Sequence, residues 1–154
     1  PVQGEPSSRT LFSDSMKTAI LIALLLLLPS LGAQTERTVF LQAIHMIENP
    51  TNSTRPGRHG ELGPYQFRAS TWHQHTNLAF SLAKDYRTAT PIAVFHYDWI
   101  VTQLIRLGIP VTDYNIAKAW NMGVTAVARR QRSTDYPQRV SNVCRSLVSS
   151  VAVN

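Results

Sequence analysis

Asn49-Pro50 divides this chain more sharply than any other pair of residues. A residue before proline is pushed out of the helical region, so a helix reaching Asn49 must stop there. One does reach it: Val39, Phe40, Ala43, Ile44 and Ile47 recur at helical spacing. Thr35 offers a cap, and Glu36 stands in the first turn, where the helix dipole favours an acid. Glu48 is therefore carried on the last helical turn or just past it. Asn49 to Gly60 holds Pro50, Pro56, Gly57 and Gly60 among Asn, Ser and Thr, which is the composition of a loop. Glu61 to Phe67, interrupted by Gly63-Pro64, is an extended or hairpin-like piece at most. Ser70 caps the next expected helix, which runs through Trp72 and His75.

The remaining elements follow from the same signals. Asn77 to Asp85 predicts a short helix or turn. Thr90-Pro91 opens the longest helix, because proline fits the first helical position, and Gly108 stops it. Its inward face is expected to be Ile92, Phe95, Trp99, Thr102 and Ile105, or Val94, Asp98, Val101 and Ile105. Thr112 caps a helix ending at Gly123, and Val124 to Arg130 adds one or two turns. Asp135-Tyr136-Pro137 opens a last helix with Val140, Val143, Cys144, Leu147 and Val148 on one face. The expectation is a mainly α domain with a small β-hairpin or extended segment between the first two helices.

Residues 16–33, MKTAILIALLLLLPSLGA, have the three-part pattern of a secretory signal peptide, with cleavage expected after Ala33. The apolar run is shorter than the roughly 20 residues of a membrane span, and an uncleaved anchor is the alternative. No Cys follows the run, which excludes a lipid-anchored terminus of that kind. Residues 1–15 are polar and precede Met16, the expected start; they read as an upstream artefact or a disordered piece. Residues 34–154 then form one exported domain.

The formal charge of +6 favours anionic partners or serves solubility alone. The densest basic cluster, Arg129, Arg130 and Arg132, comes with no nucleic-acid-binding motif, so no nucleic-acid partner is expected. The single cysteine, Cys144, has no disulfide partner and no zinc spacing, and reads as a core thiol. His45, His59, His73, His75 and His96 include no His-x-x-x-His pair, so neither a metal nor a cofactor is expected. Ser-His-Asp catalysis lacks its Gly-x-Ser-x-Gly elbow.

Two carboxylates carry what chemistry there is. Glu48 follows the apolar Met46 and Ile47. A carboxyl group in low-dielectric surroundings holds its proton to higher pH and can act as a general acid. The plainer alternative is an exposed carboxylate at a helix end. Glu61 comes thirteen positions later, across the loop. If the loop folds back, the two face one cleft, as glycosidases require; otherwise Glu61 is a solvated surface charge. Tyr65, Gln66, Trp72, Trp120 and Asn121 offer flat faces for pyranose rings and amides for hydroxyls, with a place in the core as the alternative for each; Trp99, mid-helix among aliphatics, reads as core.

These residues stand in an order that resembles the lysozyme-like superfamily and, within it, the soluble lytic transglycosylases. Glu48 at a helix end, Asn49-Pro50, Gly60-Glu61-Leu62-Gly63-Pro64-Tyr65-Gln66, Thr71-Trp72 and, downstream, Ala119-Trp120-Asn121-Met122-Gly123 match that family's catalytic helix end, Gly-x-x-Gly-x-x-Gln segment and Ala-Tyr-Asn-Ala-Gly motif. The likeness spans about residues 38–145. It departs in two places: the Ser that commonly follows the catalytic Glu is absent, and Glu61 stands where the transglycosylases have a small residue. Glu61-Leu62-Gly63-Pro64-Tyr65-Gln66 is also similar to the short strand of c-type and invertebrate-type lysozymes, with Glu for Asp. The resemblance implies an α+β lysozyme-like fold and cleavage of peptidoglycan glycan strands by a monomer, in the periplasm or outside a bacterial cell. Glu48 is the implied general acid/base. Cleavage by transglycosylation, hydrolysis using Glu48 and Glu61, and a catalytically inactive wall-binding domain are all compatible with it.

Overall fold

The structure, a computed structural model, describes residues 35–151, with side chains to Ser150. The expected signal peptide at 16–33 and the segment before it lie outside the described residues. The described residues from Glu36 onward form one compact unit. In chain order it holds α1 (residues 35–48), α2 (Ala69–His75), a short 3-10 helix (Phe80–Lys84), α3 (Tyr86–Arg106), α4 (Asp113–Met122), α5 (Val124–Ala128) and α6 (Tyr136–Val151). The domain is mainly helical, as its periodicity predicts.

The short α4 is the centre of the packing, with α3, α5 and α6 against it. It buries Ile116, Ala117 and Ala119, and its alanines let neighbouring helix axes approach closely. From α1, Phe40, Leu41, Ala43 and Ile44 enter the same core. The Phe40 ring meets Tyr97 of α3 at 5.2 Å and Trp120 of α4 at 6.2 Å. Cys144 is a buried free thiol, as expected.

The β-hairpin reduces to one antiparallel bridge, Leu62 to Phe67. Its two backbone bonds measure 2.9 and 3.0 Å. No further rung is available, because Gly57 N–H takes the Glu61 carbonyl at 2.8 Å and Arg68 already serves as the cap residue of α2. Gly63 inside the turn has φ +76°, and a Cβ there would overlap the Ala83 carbonyl oxygen. Only glycine fits both demands.

Four expectations about α2, α3 and α6 are corrected. Helix α2 begins at Ala69 with Arg68 as its cap residue, so Ser70 lies in the first turn and caps nothing. Helix α3 begins at Tyr86, not at Pro91, because Asp85 accepts from Thr88 N at 2.8 Å and Thr88 Oγ1 at 2.7 Å and so opens the helix a turn earlier. The buried stripe of α3 is Ala89, Ile92, Ala93, His96, Tyr97, Ile100 and Leu104. Phe95 and Ile105, expected inside, are exposed. A buried histidine hid the true helical period. Val148 of α6 is exposed as well. The far end of α3 behaves as expected: Gly108, at φ +64°, donates to Ile105 O, and Ile109 N–H reaches Leu104 O, which satisfies the last carbonyls.

Candidate active site

Glu48 arrives on the last turn of α1. Asn49 N–H still bonds to His45 O at 3.0 Å, and Pro50 then turns the chain away. The Asn49 side chain folds the following loop back. Its amide donates to Ser53 O at 2.9 Å and to Gly63 O at 3.1 Å, while its oxygen accepts from Ser53 N at 2.8 Å. Asn49 is 5% exposed, so these bonds are largely shielded from water. Where the resembled family has a serine, this chain has an asparagine that ties the loop after Glu48 to the turn after Glu61.

A cleft of about 470 Å³ opens between α1, the 57–68 segment and the end of α4. Glu48, Glu61, Gln66, Trp120 and Asn121 all line it, so the fold brings together five of the seven residues expected there. The other two are placed elsewhere. Tyr65 is 1% exposed and Trp72 is fully buried. Their polar ends are satisfied inside the protein, Tyr65 Oη with Thr90 Oγ1 at 3.0 Å and Trp72 Nε1 with Leu78 O at 2.8 Å. Both hold the turn and α2 against the core. Trp99, read as core, packs on the core and also lines the cleft.

The two carboxylates sit in opposite environments. Burial pushes the Glu48 carboxyl above its ordinary range; Tyr136 pulls it partly back, Glu61 pushes it further up, and Arg139 pulls it down. The Tyr136 hydroxyl donates to Glu48 Oε1 at 2.6 Å. Desolvation also opposes ionisation of Glu61, but the His59 N–H, its own N–H and Arg68 outweigh it and hold that carboxyl below its ordinary range. Glu61 Oε2 accepts from His59 N at 2.8 Å, and Oε1 accepts from Arg68 Nε at 3.1 Å. A pair whose environments separate proton affinities in this way divides acid and anion roles between its members.

Gly57 closes over this arrangement. A Cβ there would lie 2.6 Å from Gln66 Oε1 and 2.7 Å from Glu61 Oε2. Gln66 adopts the left-handed region at φ +45°, with its amide donating to Gly63 O at 2.9 Å. A non-glycine residue in that region is strained, and strain of this kind gathers at sites that fix a side chain.

No family model, no curated protein and no solved structure matches this chain. The chemistry of the site therefore rests on its own residues.

Sequence reading missed several of them. Tyr136 appears in the sequence only as the start of a helix, 88 residues from Glu48. Arg58, Arg68 and His96 also line the cleft. Burial, and to a lesser extent His75, push His96 down to about 3, so it is a neutral ring. Among the described residues no group of three or more His, Cys, Asp or Glu is arranged to hold a metal. No described helix is long and apolar enough to cross a membrane.

Proposed function

We propose that this chain cleaves the β-1,4-glycosidic bond between N-acetylmuramic acid and N-acetylglucosamine in peptidoglycan, as a lytic transglycosylase. The observation that carries this reading is Glu48: a desolvated carboxyl on a cleft wall, held by the Tyr136 hydroxyl. Such a group keeps a proton to higher pH than a free carboxyl and delivers it to the glycosidic oxygen as the bond to the anomeric carbon breaks. The acetamido carbonyl oxygen of the substrate closes on that carbon and carries the positive charge. Glu48, now a carboxylate, takes the proton of the 6-hydroxyl. That oxygen displaces the acetamido oxygen and closes a 1,6-anhydro ring, returning Glu48 to its acid form.

Glu61 supports this route over hydrolysis. Both of its oxygens are engaged, one by a backbone N–H and one by a guanidinium, so it serves as a fixed negative charge near the developing cation. The proposed setting is an exported protein working on wall glycan in the periplasm or outside a bacterial cell, with the basic charge suited to anionic wall polymers.

The test is incubation of the protein with purified peptidoglycan and mass spectrometry of the soluble fragments, with Glu48→Gln alongside. Anhydro-muramyl ends from the unsubstituted protein and none from Glu48→Gln are expected. Reducing ends would assign hydrolysis and make Glu61 a catalytic partner. Release of nothing, with the protein still pelleting with the wall, would leave a binding domain.

A further inference from the structure

One residue that lines the cleft, His96, is paired with a second histidine, and the acid–base steps use neither. His96 on α3 is 7% exposed, and its Nδ1 lies 2.9 Å from Nε2 of His75 on α2. Trp99 stacks on the His96 ring at 5.9 Å with an interplanar angle of 12°, and Trp120 meets it edge-on at 4.8 Å. Among the described residues the His96 side chain makes no hydrogen bond besides that to His75. No buried side-chain nitrogen or oxygen among them lacks a partner. The Nε2 of His96 is therefore not sealed inside, and since His96 lines the cleft, that nitrogen opens onto it.

Two neutral imidazoles share one proton along such a bond, and each ring then has one donor and one acceptor. With the proton on His75 Nε2, both rings are in the Nε2–H form that free neutral histidine prefers. The reverse direction puts both in the less favoured Nδ1–H form. That preference favours a bond running from His75 to His96, in which the acceptor role of His96 Nδ1 leaves its proton on Nε2. His96 offers the cleft a single uncharged N–H donor between two indoles.

That combination selects a ligand. A hydroxyl placed against the N–H would need an acceptor for its own proton, and the two indoles beside His96 supply none. A carbonyl oxygen only accepts, and an attached methyl group is suited to the indole wall. We propose that His96, Trp99 and Trp120 form a subsite for an N-acetylhexosamine ring, with His96 Nε2–H donating to the acetamido carbonyl oxygen and His75 as the positioning residue that holds this tautomer. The proposal rests on the glycan reading of the cleft and adds which sugar substituent is recognised there.

The test uses the full chain carrying Glu48→Gln, so that no ligand is consumed. Binding of the N-acetylglucosamine tetramer and of cellotetraose, which has a hydroxyl in place of each acetamido group, is measured by calorimetry and by tryptophan fluorescence. The acetylated tetramer is expected to bind more tightly by up to about tenfold, as one directed hydrogen bond supplies. Adding His96→Ala should remove about that factor for the acetylated ligand and leave cellotetraose unchanged. Nitrogen-15 NMR of histidine-labelled protein, with neither histidine altered, should show His96 protonated at Nε2, and His75→Phe should release the Nδ1–H form. Equal affinity for the two tetramers, no effect of His96→Ala, or a His96 protonated at Nδ1 in the labelled protein would overturn the subsite and leave the glycan reading standing. Failure to bind the acetylated tetramer would also overturn the subsite, while release of anhydro-muramyl ends from peptidoglycan decides the glycan reading separately.

Discussion

Asn49→Ala tests whether the side chain after Glu48 builds the candidate site. The substitution deletes three hydrogen bonds, to Ser53 O, Gly63 O and Ser53 N. Each contributes about 0.5–1.5 kcal/mol net. Few groups are stranded by the loss. Gly63 O keeps Gln66 Nε2 at 2.9 Å and Gln66 N at 3.2 Å, and Ser53 is exposed, so its backbone meets water. The loss therefore falls in the lower part of the range, about 2 kcal/mol for the three together. With a urea slope of about 1.5 kcal/mol/M, the unfolding midpoint should drop by more than about 1 M with the slope unchanged. The loop also places the His59 N–H on Glu61 and Gly57 over Glu61 and Gln66. On the proposed function, loosening it should lower turnover on peptidoglycan by about tenfold to a hundredfold, the usual consequence of misplacing reacting groups by about 1 Å. Asn49→Asp should be worse than Ala, since it loses both amide donors and adds a charge close to Glu48. A midpoint shift below about 0.3 M, or an Asp variant more stable than the Ala variant, would refute Asn49 as the brace.

Other perturbations have definite signs. Burial raises the Glu48 carboxyl above its unfolded value of 4.5, so the folded protein holds that proton more tightly and stability falls as pH rises through the raised value. Glu48→Gln should accordingly be more stable than the parent in urea at pH 7, with the difference vanishing below 4.5. Glu61 is held below 4.5, so it contributes stability above that value that is lost as pH falls through the lowered one. Glu61→Gln should be destabilised at pH 7 and converge with the parent in acid, as followed by thermal unfolding across pH. Gly63→Ala combines a left-handed backbone with overlap on the Ala83 carbonyl and should cost at least about 2 kcal/mol by urea unfolding.

How much of this could be read beforehand depended on the distance over which each constraint acts. Pro50 stopping α1, Thr112 capping α4 and Gly108 closing α3 are settled by residues within a turn of one another, and they were legible. Glu48 at a helix end, with Glu61, Gln66, Trp120 and Asn121 around one cleft, was also legible. The order of residue types around a loop carries that information. The sides of α3 were not, because its buried stripe includes His96, whose cost of burial is met by a histidine on another helix. Tyr65 and Trp72 looked like sugar platforms. An aromatic ring has the same sequence signature whether it faces a ligand or Thr90 and Leu78.

The sequence by itself determined the helical character, most of the helix ends and the carriage of a carboxylate to the mouth of a loop, because sterics, capping and periodicity act between near neighbours. Only the tertiary structure decided which of two similar glutamates has its proton affinity raised and which has it lowered. Glu48 is desolvated and touched by a hydroxyl from α6, whereas Glu61 is met by a guanidinium and backbone N–H groups. Proton affinity is set by whatever the fold brings within a few ångströms, and no local pattern records a neighbour 88 positions away.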